Sequence, residues 1–198
     1  LLMGNEERRN FINNTIIQYD KIYLNHLNTY NKFLKQRNAL LKDFAERKYY
    51  DKDLLEILTE KMSEPAQYMH EARKNFTNQM EKPLKEYGLQ LSDGKEILTL
   101  DYKSRLDKDT FLKLTEDKLQ IDRITCRSNV GIHKDEIDFL INNQLIKDFG
   151  SQGQLKTYVF ALKLAQYHLL FEKTNRKPIF LLDDVFDKLD TTRVSQLL

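Results

Sequence analysis

Residues 150–154 read GSQGQ and stand directly before a strongly apolar segment. The apolar pattern predicts a well-buried helix that begins at Gln152. Two glycines and a serine at a helix start present backbone N–H groups and a hydroxyl at its positive end, which suits a phosphate. An ordinary turn with Ser151 as the N-cap explains the same residues. Taken alone, the segment favours the ordinary cap.

A second informative stretch is residues 179–184, which read IFLLDD. Its apolar run predicts a central parallel strand that is covered on both faces. The two carboxylates would then lie at the carboxyl edge of the sheet, where ligands bind in open α/β folds. Asp183 could hold a magnesium ion, and Asp184 could orient an attacking water. The alternative is a polar strand exit in which Asp184 caps the next turn.

The first half of the chain has a helical pattern. Residues 6–50 are predicted to form a helix, and from Tyr23 the apolar positions are spaced by four and three, with Arg37 filling one place in this coiled-coil-like seam. A second helix is predicted over residues 53–85, with a kink or a new start at Pro65. The two stretches meet at a polar turn, which predicts an antiparallel helical hairpin.

The pattern changes after Gly88. Alternation over residues 98–103 predicts a strand with one buried face, and residues 108–122 again have a helical pattern. A β-hairpin is predicted over residues 137–145, because the paired asparagines at its centre tolerate the left-handed conformation of a tight turn. A break is predicted at Asn175, after the long apolar helix.

Composition limits the possible classes. The chain has 198 residues, 40% of them hydrophobic, which is enough for one sizeable core. A formal net charge of +2 neither requires nor excludes nucleic acid as a partner. The single cysteine excludes an internal disulfide and favours a reduced, cytoplasmic setting, and no apolar run is long enough for a membrane span. Because the chain begins at Leu1 and stops inside a predicted helix, we expect it to be a fragment.

The two stretches together resemble the signature motif and the Walker B motif of ABC ATPases, in their order and in their separation by a helix. Residues 186–190 (FDKLD) look like the D-loop that follows Walker B. Residues 149–157 (FGSQGQLKT) are similar to the RecF form of the signature. Residues 35–41 (KQRNALL) look like a motif of the RecF helical arm, and residues 2–11 resemble the segment that enters it.

Residues 131–136 (GIHKDE) are also similar to RecF, whose corresponding segment reads Gly-Pro-His-Arg-Asp-Asp. Ile132, Lys134 and Glu136 depart from that pattern. The resemblance covers almost the whole chain in the family's order. It implies an α/β fold, the C-terminal lobe of an ABC-type ATPase head with an inserted antiparallel helical, coiled-coil-like arm. The implied division is an arm over residues 1–87 and a head over residues 88–198.

The resemblance also implies a site. In ABC-type heads, ATP is held between two protomers, and one protomer presents its signature motif to the ATP bound by the other. Asp183 would serve Mg²⁺, and Asp184 would take the catalytic position, where many ABC enzymes carry a glutamate. Because Asp is one methylene shorter, slow hydrolysis is expected. The residues that would touch the partner's ATP are Ser151, Gln152, Gly153 and Gln154, and those at the dimer interface are Asp187 and Asp190.

The implied function is that of a RecF-like ATP-dependent DNA-binding protein. Such proteins dimerise on ATP and act with RecO and RecR at gaps during recombinational repair, replication and the SOS response. The Walker A pattern occurs nowhere in these 198 residues, so we expect no tight ATP binding by them alone. The alternatives are another ABC-class ATPase, such as a transporter subunit or an SMC-like protein, and a non-catalytic helical interaction module.

Three further groups of side chains have open roles. His133 could neighbour the nucleotide, although a hydrogen-bonded structural histidine is favoured. Lys134 and Lys156 could contact DNA phosphates or be solvated. Arg37 is predicted to pair with a carboxylate inside the helical arm rather than to contact DNA.

Overall fold

A computed structural model describes residues 4–181, and these divide into two compact units. The first, the sheet unit, comprises residues 4–19, 75–102 and 137–181; the second, the hairpin unit, comprises residues 20–74 and 103–136. The predicted boundary between residues 87 and 88 falls inside a long helix. The division into an arm and a head therefore stays a prediction. Within residues 4–181, no helix is long and apolar enough to cross a membrane.

The hairpin unit is built on helix α2 (Lys21–Arg47) and on the first part of helix α3 (Lys52–Leu91). Helix α2 ends where Lys48 takes a left-handed conformation with φ 55°, and the Asp51 side chain then accepts a hydrogen bond from the Leu54 N–H at the start of α3. These signals produce the predicted turn between the helices.

The two helices are antiparallel, as the predicted helical hairpin requires. Near the open end of the hairpin, Tyr68 on α3 donates a hydrogen bond to Asp20, just before α2. Nearer the turn, Arg37 on α2 donates to Thr59 on α3. A later position on α2 therefore contacts an earlier position on α3, which is the arrangement of an antiparallel pair. The seam of α2 is buried at Tyr23, Tyr30, Arg37, Leu41 and Phe44.

The single helix predicted over residues 6–50 is wrong, because the structure has two. Helix α1 (Asn5–Ile16) is separated from α2 by a short break. Asp20 has an extended backbone, with φ −125°, and its carboxylate accepts a hydrogen bond from the Tyr23 N–H at 2.9 Å. An aspartate in this conformation starts a new helix.

Pro65 does not interrupt α3, which is helical without a break over 40 residues. A proline inside a helix removes one backbone hydrogen bond and disfavours the preceding turn. Here Pro65 is buried, and Met62, Ala66 and Met69 beside it are fully buried. Tertiary packing of this face therefore outweighs the local preference.

The rest of the hairpin unit contains two short helices, α4 (Phe111–Asp117) and α5 (Leu119–Thr125), where one was predicted over residues 108–122. The break lies at Lys118, which has φ −100° and ψ 1°. Thr110 caps α4 through the Lys113 N–H, and α5 ends at Cys126 in a left-handed conformation. The last turn of the unit is a single 3₁₀ turn over Ile132–Lys134.

The sheet unit contains a small sheet with the strand order β1 (Leu98–Lys103), β2 (Glu136–Ile141) and β3 (Gln144–Leu145). Strands β2 and β3 are antiparallel, with Ile141 opposite Gln144. Asn142 and Asn143 connect them with φ 48° and 64°. The predicted β-hairpin and its turn are confirmed.

The core of the sheet unit joins the sheet to helix α7 (Gln152–Thr174), which follows the short helix α6 (Ile146–Phe149). The ring of Phe139 on β2 stacks on Tyr158 of α7, with centroids 5.0 Å apart, and the Tyr158 hydroxyl donates to the Thr99 carbonyl. Arg8 of α1 lies over the Phe139 ring. Helix α7 ends at Asn175, as predicted.

The central strand predicted from residue 179 is wrong for the residues that the structure describes. Residues 179–181 form no strand, and the side chains of Ile179 and Leu181 are 88% and 87% exposed. Phe180 alone packs inward, edge-on against Phe160 and Tyr167 of α7. A strand buried on both faces needs cover on both sides, and this segment buries only one side chain of three.

Candidate functional site

The start of helix α7 is held by a capping box. The Ser151 Oγ accepts a hydrogen bond from the Gln154 N–H at 3.2 Å. In return, the Gln154 Oε1 accepts one from the Ser151 N–H at 2.9 Å. Two backbone donors at the helix start are therefore satisfied by side chains of the same turn. The ordinary cap that the sequence favoured is present.

A tight turn leads into this cap. The Gly150 N–H donates to the Ile146 carbonyl at 2.9 Å. A Cβ atom at Gly150 would lie 2.6 Å from that carbonyl oxygen, closer than any side chain tolerates. The glycine is thus required by close backbone approach, and it brings Ser151 directly after helix α6.

The capped turn is also open to solvent. Ser151, Gln152 and Gly153 are exposed, and Gln154 is half-buried. The first N–H groups of a helix have no carbonyl partner within the helix, and the helix dipole adds positive potential there. The Ser151 oxygen accepts from Gln154, while the hydroxyl hydrogen can still be donated. The geometry is therefore compatible with a cap and with an anion contact at once.

The acidic half of the predicted site lies outside the described residues. This applies to Asp183, Asp184, Asp187 and Asp190 alike. The predicted roles of all eight site residues, in metal binding, catalysis, ATP contact and dimer contact, stay predictions.

Arg37 is buried and fully engaged inside the hairpin unit. Its Nη1 donates to Asp122 Oδ2 and to Ser128 Oγ, both at 2.7 Å, and its Nε donates to Thr59 Oγ1 at 3.1 Å. The prediction of a carboxylate partner is confirmed. Its predicted place inside the arm is wrong, because Asp122 belongs to α5, outside the residues 1–87 that were assigned to the arm.

Sequence reasoning missed a second buried arginine in the same unit. Arg73 Nη1 donates to Asp135 Oδ2 at 2.8 Å and to the Ile132 carbonyl at 2.7 Å, and its Nε donates to the Tyr23 hydroxyl at 3.2 Å. Burial raises the pKa of Tyr23, although the Arg73 charge opposes the rise. The signal that could have indicated its burial is its position, because residue 73 follows Met69 by four residues and therefore lies on the apolar face of α3.

His133 is hydrogen-bonded at both ring nitrogens within the hairpin unit. Its Nε2 donates to the Ser128 carbonyl at 3.1 Å, so Nδ1 is the acceptor for the Tyr30 hydroxyl at 2.7 Å. Burial raises the pKa of Tyr30 far above its usual value, which keeps that hydroxyl a donor. The favoured reading of His133 as hydrogen-bonded is confirmed. Lys134 and Lys156 are exposed, and their roles stay open.

Comparison with known proteins gives a consistent result, although no family model matches the chain. Over 195 residues, the chain is 44% identical to the DNA replication and repair protein RecF of Azobacteroides pseudotrichonymphae genomovar. CFP2. This match covers 98% of this chain and 53% of the relative. Over 197 residues, it is 40% identical to RecF of Flavobacterium johnsoniae. That match covers 100% of this chain and 55% of the relative. The chain thus spans about half the length of the curated relatives it matches.

Solved structures agree. A structure of the recombination mediator protein RecF with ATP in the RecFOR pathway matches 98% of this chain and 54% of its own, with a TM-score of 0.89 and 31% identity. A structure with ATPrS matches with a TM-score of 0.87 and 30% identity, over 96% of this chain and 53% of its own. The fold therefore matches about half of an ATPase head with an inserted helical arm, and this is the class to which the chain is similar. Within that class, the chain belongs to the RecF family.

Proposed function

We propose that this chain is part of a RecF-like, ATP-dependent DNA-binding protein that acts in DNA replication and in recombinational gap repair. Its likeness to RecF in sequence and fold supports the assignment, as do the names of those relatives. The observation that carries the proposal is the exposed, capped start of α7. Ser151 and Gly153 there offer a hydroxyl hydrogen and backbone N–H groups to an anion.

In the proposed mechanism, this turn contacts the ATP that a second protomer holds in an ATP-dependent homodimer. Ser151 donates its hydroxyl hydrogen to the γ-phosphate, and the N–H groups of Gln152 and Gly153 add to the positive potential, while Gln154 keeps the turn in shape. The other ATP contacts require a Walker A segment, which these 198 residues do not contain.

The acidic residues complete the proposed site. Asp183 would hold Mg²⁺, which neutralises phosphate charge when bound. Asp184 would orient the attacking water, and Asp187 with Asp190 would face the second protomer. The proposed partners are DNA at single-strand to double-strand junctions and RecO-like and RecR-like mediators, since a solved RecF belongs to the RecFOR pathway. The proposed setting is the cytoplasm.

The test uses a full-length protein in which this chain is joined to the half of a RecF that it does not cover. Ser151→Asp keeps the helix cap, because aspartate caps as well as serine. It also places a carboxylate against the γ-phosphate, and such like-charge contacts cost roughly several kcal/mol. We expect at least a tenfold loss, about 1.4 kcal/mol, in ATP-dependent dimerisation by light scattering.

The matched control is Thr110→Asp, which makes the same kind of replacement at the cap of α4. This variant should dimerise as the parent protein does. Dimerisation of Ser151→Asp at parental ATP concentrations would contradict the proposal.

A second assay examines hydrolysis. The full-length protein should turn over ATP far below the rate of about 10 per second that is typical of enzymes. Asp184→Asn should abolish the remaining hydrolysis and leave ATP-dependent dimerisation and junction DNA binding intact. Parental hydrolysis in the variant would remove Asp184 from the catalytic role.

Different observations bear on the two alternatives. A non-catalytic helical interaction module would show no ATP-dependent dimer at all. The likeness to RecF over the whole chain argues against another ABC-class ATPase.

A further inference from the structure

Helix α5 in the hairpin unit presents an exposed apolar surface. The side chain of Ile124 is 81% exposed and that of Ile121 is 44% exposed. These two isoleucines lie three residues apart on the same short helix, so they are neighbours on its outer side. Single exposed apolar residues are common, whereas a grouped pair beside a cavity indicates an interaction surface.

Within residues 118–127 the exposed charged side chains are basic, although the exposed acidic residues Glu116 and Asp117 directly precede this segment. Residues 118–127 contain three basic residues and one acidic residue. Arg123 and Arg127 are exposed, whereas the acidic residue, Asp122, is 0% exposed and bonded to Arg37. The solvent-facing part of this segment is therefore purely cationic. Within residues 4–181, Arg123 forms no salt bridge, and its guanidinium lies 4.2 Å from the centre of the Tyr50 ring.

A cavity of about 280 Å³ adjoins this surface. Its floor is apolar, since Leu41 is 1% exposed and Phe44 is 8% exposed. Among the described residues that line it, Arg123 alone is charged. A space of this size is below the usual range for a small-molecule site, roughly 300 Å³ or more, and suits one large apolar side chain. The full lining is Leu41, Phe44, Ala45, Tyr50, Gln120, Arg123 and Ile124.

We propose that this α5 surface binds a short acidic segment of a protein partner. One apolar side chain of the segment would enter the cavity, and neighbouring carboxylates would meet Arg123 and Arg127. Charge complementarity selects an acidic partner over a basic one. The exposed isoleucines favour a protein over a nucleic acid, because an aliphatic side chain offers no ring on which a base can stack, and the Tyr50 ring in the lining is already covered by the Arg123 guanidinium. The surface needs no nucleotide, so it is independent of the proposed ATP contact.

The test measures fluorescence anisotropy with the full-length protein in the absence of ATP. The probe is a fluorescein-labelled helical peptide of about 12 residues with leucines at helical spacing and glutamates between them. Its counterpart carries lysine in place of every glutamate. We expect the acidic peptide to bind at least about tenfold more tightly than the basic one, and its binding to weaken as salt is raised.

Two substitutions should weaken binding of the acidic peptide by about fivefold or more each, namely Arg123→Glu and Ile124→Ser. The matched controls, Lys134→Glu and Ile57→Ser, change exposed residues outside the surface and should leave binding unchanged. Circular dichroism of each variant confirms that it folds.

Equal binding of the two peptides would overturn the proposal, as would no binding of the acidic peptide at about 1 mM, the limit of weak recognition. Tighter binding of a labelled oligothymidine that is lost in Arg123→Glu would also overturn it and would assign the surface to nucleic acid. Because ATP is absent throughout, these outcomes are distinct from a failure of ATP-dependent dimerisation.

Discussion

Two polar clusters of this chain contrast in what occupies their hydrogen-bonding groups. In the hairpin unit, Arg37 and Arg73 are 1% and 2% exposed, and each guanidinium donates to a buried carboxylate. At the start of α7 in the sheet unit, Ser151 and Gly153 are exposed. The first cluster is occupied by the protein itself, while the second keeps donors available to a ligand.

The difference separates structural from functional polar residues. A buried charge is tolerated only with a partner and further hydrogen bonds, and Asp122 meets this requirement by accepting from Arg37 and from the N–H of Asn129. An exposed helix start needs no partner, because water satisfies its donors. Four substitutions test this contrast between occupied and available hydrogen-bonding groups.

Asp122→Ala should have the largest effect. It leaves the Arg37 guanidinium buried without its carboxylate, and breaking a buried pair in this way costs about 3–5 kcal/mol. Urea unfolding followed by circular dichroism measures the loss. Asp117→Ala is the control, since it breaks an exposed pair with Lys113 and should change stability little. Equal losses in the two variants would show that the Arg37 cluster is not structural.

Gly131→Ala should come next. Gly131 has φ 121°, and an added Cβ would overlap the Tyr30 hydroxyl that donates to His133. Backbone strain and overpacking together should cost about 2–4 kcal/mol in the free energy of unfolding. Gly94 also has a positive φ, 78°, but it lies nearer the left-handed helical region and has open space around it, so Gly94→Ala should cost about 1 kcal/mol. A smaller loss at Gly131 than at Gly94 would contradict this packing argument.

Ser151→Ala should lower the free energy of unfolding by about 1 kcal/mol, because it removes the cap of α7. Ser151→Asp should leave the free energy of unfolding near the parental value. Urea unfolding distinguishes the two variants. If both lost ATP-dependent dimerisation while only alanine lost stability, the two roles of Ser151 would be separated.

The smallest effect is expected at an exposed pair. The hydrogen bond from Lys74 lowers the pKa of Asp107 below 3.8, and the charge of His70 adds to this effect. A lowered folded-state pKa stabilises the protein above the unfolded-state pKa, and that stability is lost as pH falls through the folded-state pKa. Lys74→Met should therefore raise the pKa of Asp107, as read by carboxyl NMR titration, and reduce the loss of stability below pH 4. An unchanged titration would contradict this.

Much of the fold could be predicted where local chemistry decides it. Periodicity indicated α2, α3 and α7, the paired asparagines indicated the β2–β3 turn, and the residues before α7 indicated its cap. Two of the failures, at Pro65 and Arg73, share a physical cause, which is that packing against distant residues decided them, whereas local breaks at Asp20 and Lys118 divided two predicted helices. Pro65 stays helical within α3 because its face of the helix is buried, and Arg73 pairs with Asp135, which lies 62 residues further along the chain. The segment from residue 179 packs only Phe180 onto α7, which an apolar run cannot reveal.

The site was predicted in part. Ser151 and Gln154 form the cap that their residue types favour, because a capping box is local to four residues. Arg37 found a carboxylate as expected, yet the sequence could not say which one. Residues 121–124 attracted no functional prediction, since the role of their side chains depends on which side of α5 is buried. That side is set by Asp122, whose partner lies 85 positions away.

The bond between Arg37 and Asp122 limits which amino-acid substitutions related sequences can accept at these two positions. A substitution at either position alone leaves a buried charge without its partner, so single changes should be removed by selection. Only paired changes, such as two apolar residues of similar volume, keep the interior satisfied. These two positions should therefore vary together across related sequences, and a lineage that has lost one should have lost the other.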